Sequence, residues 1–145
     1  MIKSSLKTLC DIRDQLPGIA SAQHAMAVAC YPDPGFETYD SAGLSARNCY
    51  TLLQSQIQIK MIESGVIAKQ HELDRLLHRV ADLEDFYLKS GNEDTEELLR
   101  FIEELNTECL QYKKSIHSLM YQKMDFDLPD TLVGELAVLG INAIN

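Results

Sequence analysis

The chain has 145 residues, 46% of them hydrophobic and 24% charged, which is typical of a folded protein and argues against general disorder. Its net charge of −9 argues against nucleic acid and anionic membranes as direct partners, because both repel a polyanion. The N-terminus lacks a signal-peptide pattern and the four cysteines form no C-x-x-C pair, so we expect reduced thiols and a cytoplasmic location.

Hydrophobic residues recur with the helical period along almost the whole chain, and no run alternates as a half-buried strand would. Residues 3–16 predict a first helix that ends at Pro17-Gly18. The Ala-rich residues 19–30 predict a second helix, to which a neighbouring backbone can approach closely. The segment 31–43 opens with the sequence YPDPG and is predicted to be a loop.

The next helix is predicted from about Ser41 to about Ser64, with Gly65 at its end. Its apolar residues fall on two sides, the first with Ala46, Cys49, Tyr50, Leu53, Ile57 and Met61, the second with Leu52, Ile59 and Ile62. A helix that is apolar on two sides is covered on two sides, so we expect it to be the central helix or to face a second subunit.

Residues 66–124 predict an acidic helical hairpin. Its first helix runs from about Val66 to Ser90, ends at Gly91 and has one apolar stripe, formed by Leu73, Leu76, Leu77, Val80, Leu83 and Tyr87. Its second helix begins near residues 92–95 and has a heptad seam, formed by Leu98, Ile102, Leu105, Cys109, Tyr112, Ile116 and Leu119. Antiparallel packing of stripe and seam follows from this pattern.

The C-terminal segment 129–145 is the most apolar part of the chain. It predicts a last short helix over residues 131–144, weakened by Gly134 and Gly140. Exposed to water, this segment would promote aggregation, so it docks on its own bundle, on a second subunit or in a partner's groove, the first being favoured. Together with the loop aromatics, it supplies a candidate apolar interface: Leu132, Val133, Leu136, Leu139, Ile141, Phe36 and Tyr39. The predicted fold is an all-α, up-and-down antiparallel bundle of about five to six helices in a single domain over residues 1–145.

The negative charge is concentrated in the predicted hairpin. Residues 72–108 carry four Lys or Arg against twelve Asp or Glu, so eight of the nine excess charges lie there. Such a patch either keeps the hairpin soluble or attracts a basic partner. The candidate partner-binding residues are Asp82, Glu84, Asp85, Glu93, Asp94, Glu96, Glu97, Glu103, Glu104 and Glu108.

Patterns for catalysis, cofactors and metals are weak. The chain has no phosphate-binding or dinucleotide-binding glycine motif and no G-x-S-x-G or H-E-x-x-H sequence, so no catalytic or cofactor-binding residue is predicted. His71, Asp74, His78, Asp82 and Asp85 share one stripe, but this stripe lies opposite the core side of its helix, and no metal site is predicted. The cysteines are expected to be buried thiols.

These patterns favour a non-enzymatic acidic protein-binding module that acts as an inhibitor, immunity-type or adaptor protein toward a basic partner protein. One alternative is a structural helical subunit that forms a homo-oligomer through the helix of residues 44–62 or through the C-terminal segment. Another is a cytosolic secretion chaperone. An enzyme or phosphocarrier that uses His24 or a cysteine is the weakest hypothesis.

Overall fold

The computed structural model of the chain describes residues 2–33, 35–89 and 95–142. These residues form β1 (Ile2–Ser5), α1 (Leu6–Cys30), α2 (Gly35–Glu63), α3 (Val66–Lys89), α4 (Thr95–Tyr121), β2 (Lys123–Phe126) and α5 (Asp130–Val138). Five helices and one small sheet confirm the prediction of an all-α bundle. None of the described helices is long and apolar enough to cross a membrane.

The described chain divides into two compact units. The first contains residues 1–61 and 121–145, and the second contains residues 62–120. The second unit therefore consists largely of the predicted hairpin, whereas the first combines α1, most of α2, α5 and the sheet. The prediction of a single domain stays a prediction.

Helix α1 continues through Pro17, so the predicted break at Pro17-Gly18 is wrong. It begins where the Ser5 hydroxyl accepts a hydrogen bond from the Thr8 backbone N–H at 3.1 Å, which satisfies one of the amides that a helix start leaves unpaired. Pro17 itself is exposed, but its neighbour Leu16 is fully buried. Burial of one Leu side chain stabilises by about 1.5–3 kcal/mol, comparable to the cost of about 3 kcal/mol for proline inside a helix.

Helix α2 begins earlier than predicted. Gly35 to Gly43 are helical, so the predicted loop over residues 31–43 is wrong for the part after residue 34. Phe36 and Tyr39 therefore lie in the first turns of α2, and the Phe36 ring packs edge-on against Tyr31 with 5.2 Å between the ring centroids. The helix ends as predicted, because Gly65 follows it with a φ of 84°, a conformation that strains any other residue.

The small sheet was not predicted. Strands β1 and β2 pair antiparallel, with Ile2 opposite Phe126 and Ser5 opposite Lys123. Each strand has only four residues, too few for a recognisable alternating pattern. The pairing fixes the chain after α4 to the start of α1 and places the buried Phe126 and Leu128 in the core of the first unit.

Helix α5 is shorter than predicted, ending at Val138. Gly140 has a φ of 84°, and the backbone N–H groups of Gly140 and Ile141 donate to the carbonyls of Ala137 and Leu136. This pair of bonds is a Schellman motif, which satisfies the last carbonyls of the helix. Gly140 therefore ends the helix rather than merely weakening it.

Candidate functional site

The hairpin helices α3 and α4 pack through the predicted stripe and seam. Leu76, Val80, Ile102, Leu105 and Cys109 form a buried cluster, against which Leu73, Leu83, Tyr87, Leu98 and Tyr112 pack. The helices are antiparallel, because Lys69 near the start of α3 lies over the ring of Tyr112 near the end of α4. Leu77 was predicted to belong to this stripe, but it is 38% exposed and lies outside the cluster.

All described carboxylates of the predicted partner-binding set are exposed: Asp82, Glu84, Asp85, Glu96, Glu97, Glu103, Glu104 and Glu108. Within the described ranges, Asp85 is the one member in an ion pair, with Lys89 at 2.9 Å. Glu93 and Asp94 lie outside the described residues. The acidic charge of the hairpin is thus largely left for solvent, ions or a partner.

Three of these carboxylates lie in one row with an exposed aromatic residue. On α4, Glu97, Phe101, Glu104 and Glu108 follow one another at spacings of four, three and four, and therefore lie along one side of the helix. The Phe101 ring is 37% exposed in the middle of this row.

The facing side of α3 contributes a cation and a second aromatic ring. Arg79 lies over the Phe101 ring, with 5.3 Å from its Cζ atom to the ring centroid. Phe86 lies seven residues after Arg79, so it projects from the same side of α3, and it is 58% exposed. We call Arg79, Phe86, Glu97, Phe101, Glu104 and Glu108 together the phenylalanine face.

One end of the phenylalanine face has a local charge network. Glu72 forms an ion pair and hydrogen bonds with Arg75, and this carboxylate is the main cause that raises the pKa of Arg75. Glu108 raises the same pKa by a smaller amount. The negative charge of Glu108 is therefore partly balanced by Arg75. No ion pair with Glu97 or Glu104 is found among the described residues.

The sequence did not single out Phe86 and Phe101. Each lies directly before a core residue, Tyr87 and Ile102 respectively, and so is turned about 100° away from the core direction. The sequence did contain a signal for both residues. Each is a large aromatic residue next to the apolar core stripe of its helix, with an acidic residue three or four positions away.

The predicted apolar interface is only partly accessible. Leu132 and Leu136 are 0% exposed in the first unit, so the hypothesis that they contact a partner is corrected: they belong to the core of their own chain. Intramolecular docking, the favoured alternative, thus accounts for the buried side of α5. The remaining members are half-buried, and their role stays a prediction: Val133, Leu139, Ile141, Phe36 and Tyr39.

The second apolar side of α2 is not covered by the described chain. Leu52, Ile59 and Ile62 are 45%, 47% and 61% exposed. The first side is buried, with Leu53 and Ile57 at 0% exposure. The described residues of this chain therefore do not cover both sides of α2. The alternative, that α2 faces a second subunit, stays a prediction.

Cys49 and His78 each have a polar neighbour within the described chain. Burial, followed by a 3.5 Å hydrogen bond that Cys49 Sγ donates to Glu135 Oε2, raises the pKa of Cys49 to about 11, so this thiol is protonated at neutral pH. On α3, His78 Nδ1 lies 2.7 Å from the backbone carbonyl oxygen of Asp74. In the part of the chain that the structure describes, no three His, Cys, Asp or Glu side chains are arranged to hold a metal ion.

Comparison with known proteins gives no relative for this chain. No protein family matches it, and neither curated proteins nor solved structures show a match.

Proposed function

We propose that the chain is a non-enzymatic protein-binding module whose phenylalanine face binds a basic partner protein. The observation that supports this proposal is the exposure of Phe86 and Phe101 between carboxylates that are mostly unpaired in the described chain. Protein interfaces combine aromatic and Arg residues at the centre with a polar rim, and hot spots are enriched in aromatic and Arg side chains. This arrangement is expected of an inhibitor, immunity-type or adaptor protein that acts in the cytoplasm.

The charge of the hairpin supplies the selectivity for a basic partner. Complementary potentials raise association rates by roughly 10- to 1,000-fold at low salt, and they penalise partners of like charge. Lys and Arg side chains of a partner reach Glu97 and Glu104, while their aliphatic parts cover the phenylalanine rings. Four free cysteines among the described residues are consistent with a reducing cytoplasmic compartment.

The test compares three forms of the full chain as immobilised bait for proteins from the native source, at about 0.05 M and 0.5 M salt, where screening differs strongly. The first form is wild type, and the second is the triple variant Glu97→Gln, Glu104→Gln, Glu108→Gln. The third is a matched control with the same loss of charge on the first unit: Glu37→Gln, Asp127→Asn, Asp130→Asn, all at exposed positions.

We expect a stoichiometric basic protein that wild type and control retain at low salt, that high salt releases, and that the hairpin variant loses. The single variant Phe86→Ser should weaken the same complex by about tenfold or more, since exposed aromatic anchors contribute disproportionately to binding. Equal retention by the hairpin variant and the control would refute the proposal, as would a partner that is acidic or retained regardless of salt.

A second candidate function is that of a structural subunit that assembles through α2. The exposed second side of α2, with Leu52 and Ile59, favours it, and so does the exposed Leu44 eight residues before Leu52, because such side chains gain from being covered. Sedimentation of wild type and of the Leu52→Ser, Ile59→Ser variant at several concentrations tests it. A mass that rises with concentration in wild type alone would support this candidate, and a constant mass of 16.3 kDa would contradict it.

A further inference from the structure

The first unit contains a cleft between α1 and α2. Its volume is about 330 Å³, within the range of small-molecule sites. Helix α1 lines it with Leu16, Pro17 and Ala20, and α2 lines it with Ala46, Arg47 and Tyr50. The cleft belongs to neither the hairpin nor the proposed protein-binding surface.

The floor of the cleft is apolar because core residues form it. Leu16 and Ala46 are 0% exposed and Ala20 is 5% exposed. The two alanines have only a methyl group each, so they leave space between helices that larger side chains would fill. Next to the cleft the helices come close, since a Cβ on Gly43 would lie 3.6 Å from the Ala20 carbonyl oxygen.

The rim of the cleft is polar and carries the guanidinium group of Arg47. The guanidinium group of Arg47 has no hydrogen bond or ion pair with any described residue, although it belongs to a chain with net charge −9. The Tyr50 ring is 37% exposed at the rim. Ser21 and Thr51 add hydroxyl groups, that of Thr51 donating to the backbone carbonyl of Arg47 at 3.2 Å.

A second guanidinium group belongs to α1, one turn before the wall of the cleft. Arg13, one turn before Pro17, donates to Asp14 at 2.9 Å and to Gln54 at 2.9 Å. Asp14 is the main cause that raises the pKa of Arg13, and the phenol of Tyr50 makes a smaller contribution of the same sign. Tyr50 is therefore close to Arg13 as well as three residues from Arg47.

The wall of the cleft also departs from ordinary helix chemistry. Pro17 has no N–H, so the Arg13 carbonyl lacks its partner in the helical hydrogen-bond ladder. In natural proteins, residues whose local structural preference opposes the fold are concentrated at functional sites. Here the departure lies in the same cleft as the unpaired guanidinium group of Arg47.

We propose that this cleft binds a small organic anion, namely a carboxylate on an aromatic or branched apolar body. The carboxylate pairs with Arg47, whose planar fork matches its two oxygens, and accepts a hydrogen bond from Tyr50. The apolar body packs on Pro17 and on the Tyr50 ring, two exposed side chains that line the cleft. A sugar phosphate would leave its hydroxyl groups against Pro17 and the Tyr50 ring without partners, which disfavours it.

The test uses two probes that share the 3-phenylpropyl body and differ in the end group, the anion 3-phenylpropanoate and the neutral alcohol 3-phenylpropan-1-ol. Each is titrated into the isotope-labelled full chain while backbone amide shifts are followed. We expect saturable shifts confined to residues 16–21 and 43–51, with the carboxylate bound about tenfold or more tightly than the alcohol, as hydrogen bonds to charged groups are the stronger ones.

Variants separate the cation from the cavity. Arg47→Gln should bring the carboxylate to the affinity of the alcohol, whereas Arg100→Gln, the same charge change on α4, should leave both affinities unchanged. Ser21→Phe fills the cleft from an exposed position and should abolish binding of both probes while circular dichroism remains native. Equal affinities of the two probes in wild type, shifts centred elsewhere, or no saturation at millimolar concentrations would overturn the proposal.

Discussion

Replacing Gly18 by alanine tests whether α1 runs through Pro17. Gly18 lies within α1, its φ is not positive, and a Cβ built on it meets no atom within 4 Å. Alanine loses less conformational freedom than glycine when it becomes helical, so the variant should raise the free energy of unfolding by about 0.5–1 kcal/mol. If Gly18 instead formed a turn with positive φ, the same substitution would lower the free energy by about 1–2 kcal/mol.

Urea denaturation followed by far-ultraviolet circular dichroism measures the change, and hydrogen exchange of the α1 amides locates it. Gly65→Ala is the matched control, because this glycine has the φ of 84° that alanine adopts only with strain, so its free energy of unfolding should fall. Opposite signs for the two variants are expected. If both variants lowered the free energy of unfolding, a continuous α1 would be refuted and two helices separated at Pro17-Gly18 would be supported.

Three further predictions concern stability. Ser5→Ala removes the cap of α1 and should cost about 1 kcal/mol, measured by urea denaturation. Leu53→Ala, at 0% exposure, should cost about 2–5 kcal/mol, whereas the adjacent Leu52→Ala, at 45% exposure, should change stability by less than about 1 kcal/mol. The folded-state pKa of Cys49, about 11, lies above its ordinary value of 9.0, so the stability it contributes is present below pH 9 and is lost between pH 9 and 11. Wild type should therefore lose up to about 2–3 kcal/mol more than Cys49→Ala over this interval, and parallel pH profiles would contradict the assignment.

The hairpin could be predicted from the sequence because local and tertiary requirements agree there. The stripe of α3 and the seam of α4 repeat at spacings of three and four, and most of their residues form the buried cluster or pack against it. The end of α2 at Gly65 could be predicted equally well, since a glycine directly after a helical pattern marks the end of the helix. Exposure of the acidic residues followed directly from their positions off the stripes.

The first unit was harder to predict because tertiary burial overrides local preference in it. Pro17 and the glycines at the start of α2 predicted breaks, yet both helices continue, since Leu16, Ala20, Ala46 and their neighbours are buried along them. The cleft could not be foreseen, because it depends on two helices of which one was predicted as separate pieces. Arg47 gave a weak signal as one of only two charged residues between Leu44 and Ile62.

The exposed side of α2 is too small to explain the protein by self-association alone. A specific protein interface buries about 800 Å² per partner and involves about 20–30 residues on each side. Leu44, Leu52 and Ile59 are each about half exposed, so covering them removes only part of that area from water. A dimer through α2 would need further surface from outside this row. The phenylalanine face already combines aromatic anchors, a cation and carboxylates on two helices of one unit, which makes partner binding the better-supported proposal.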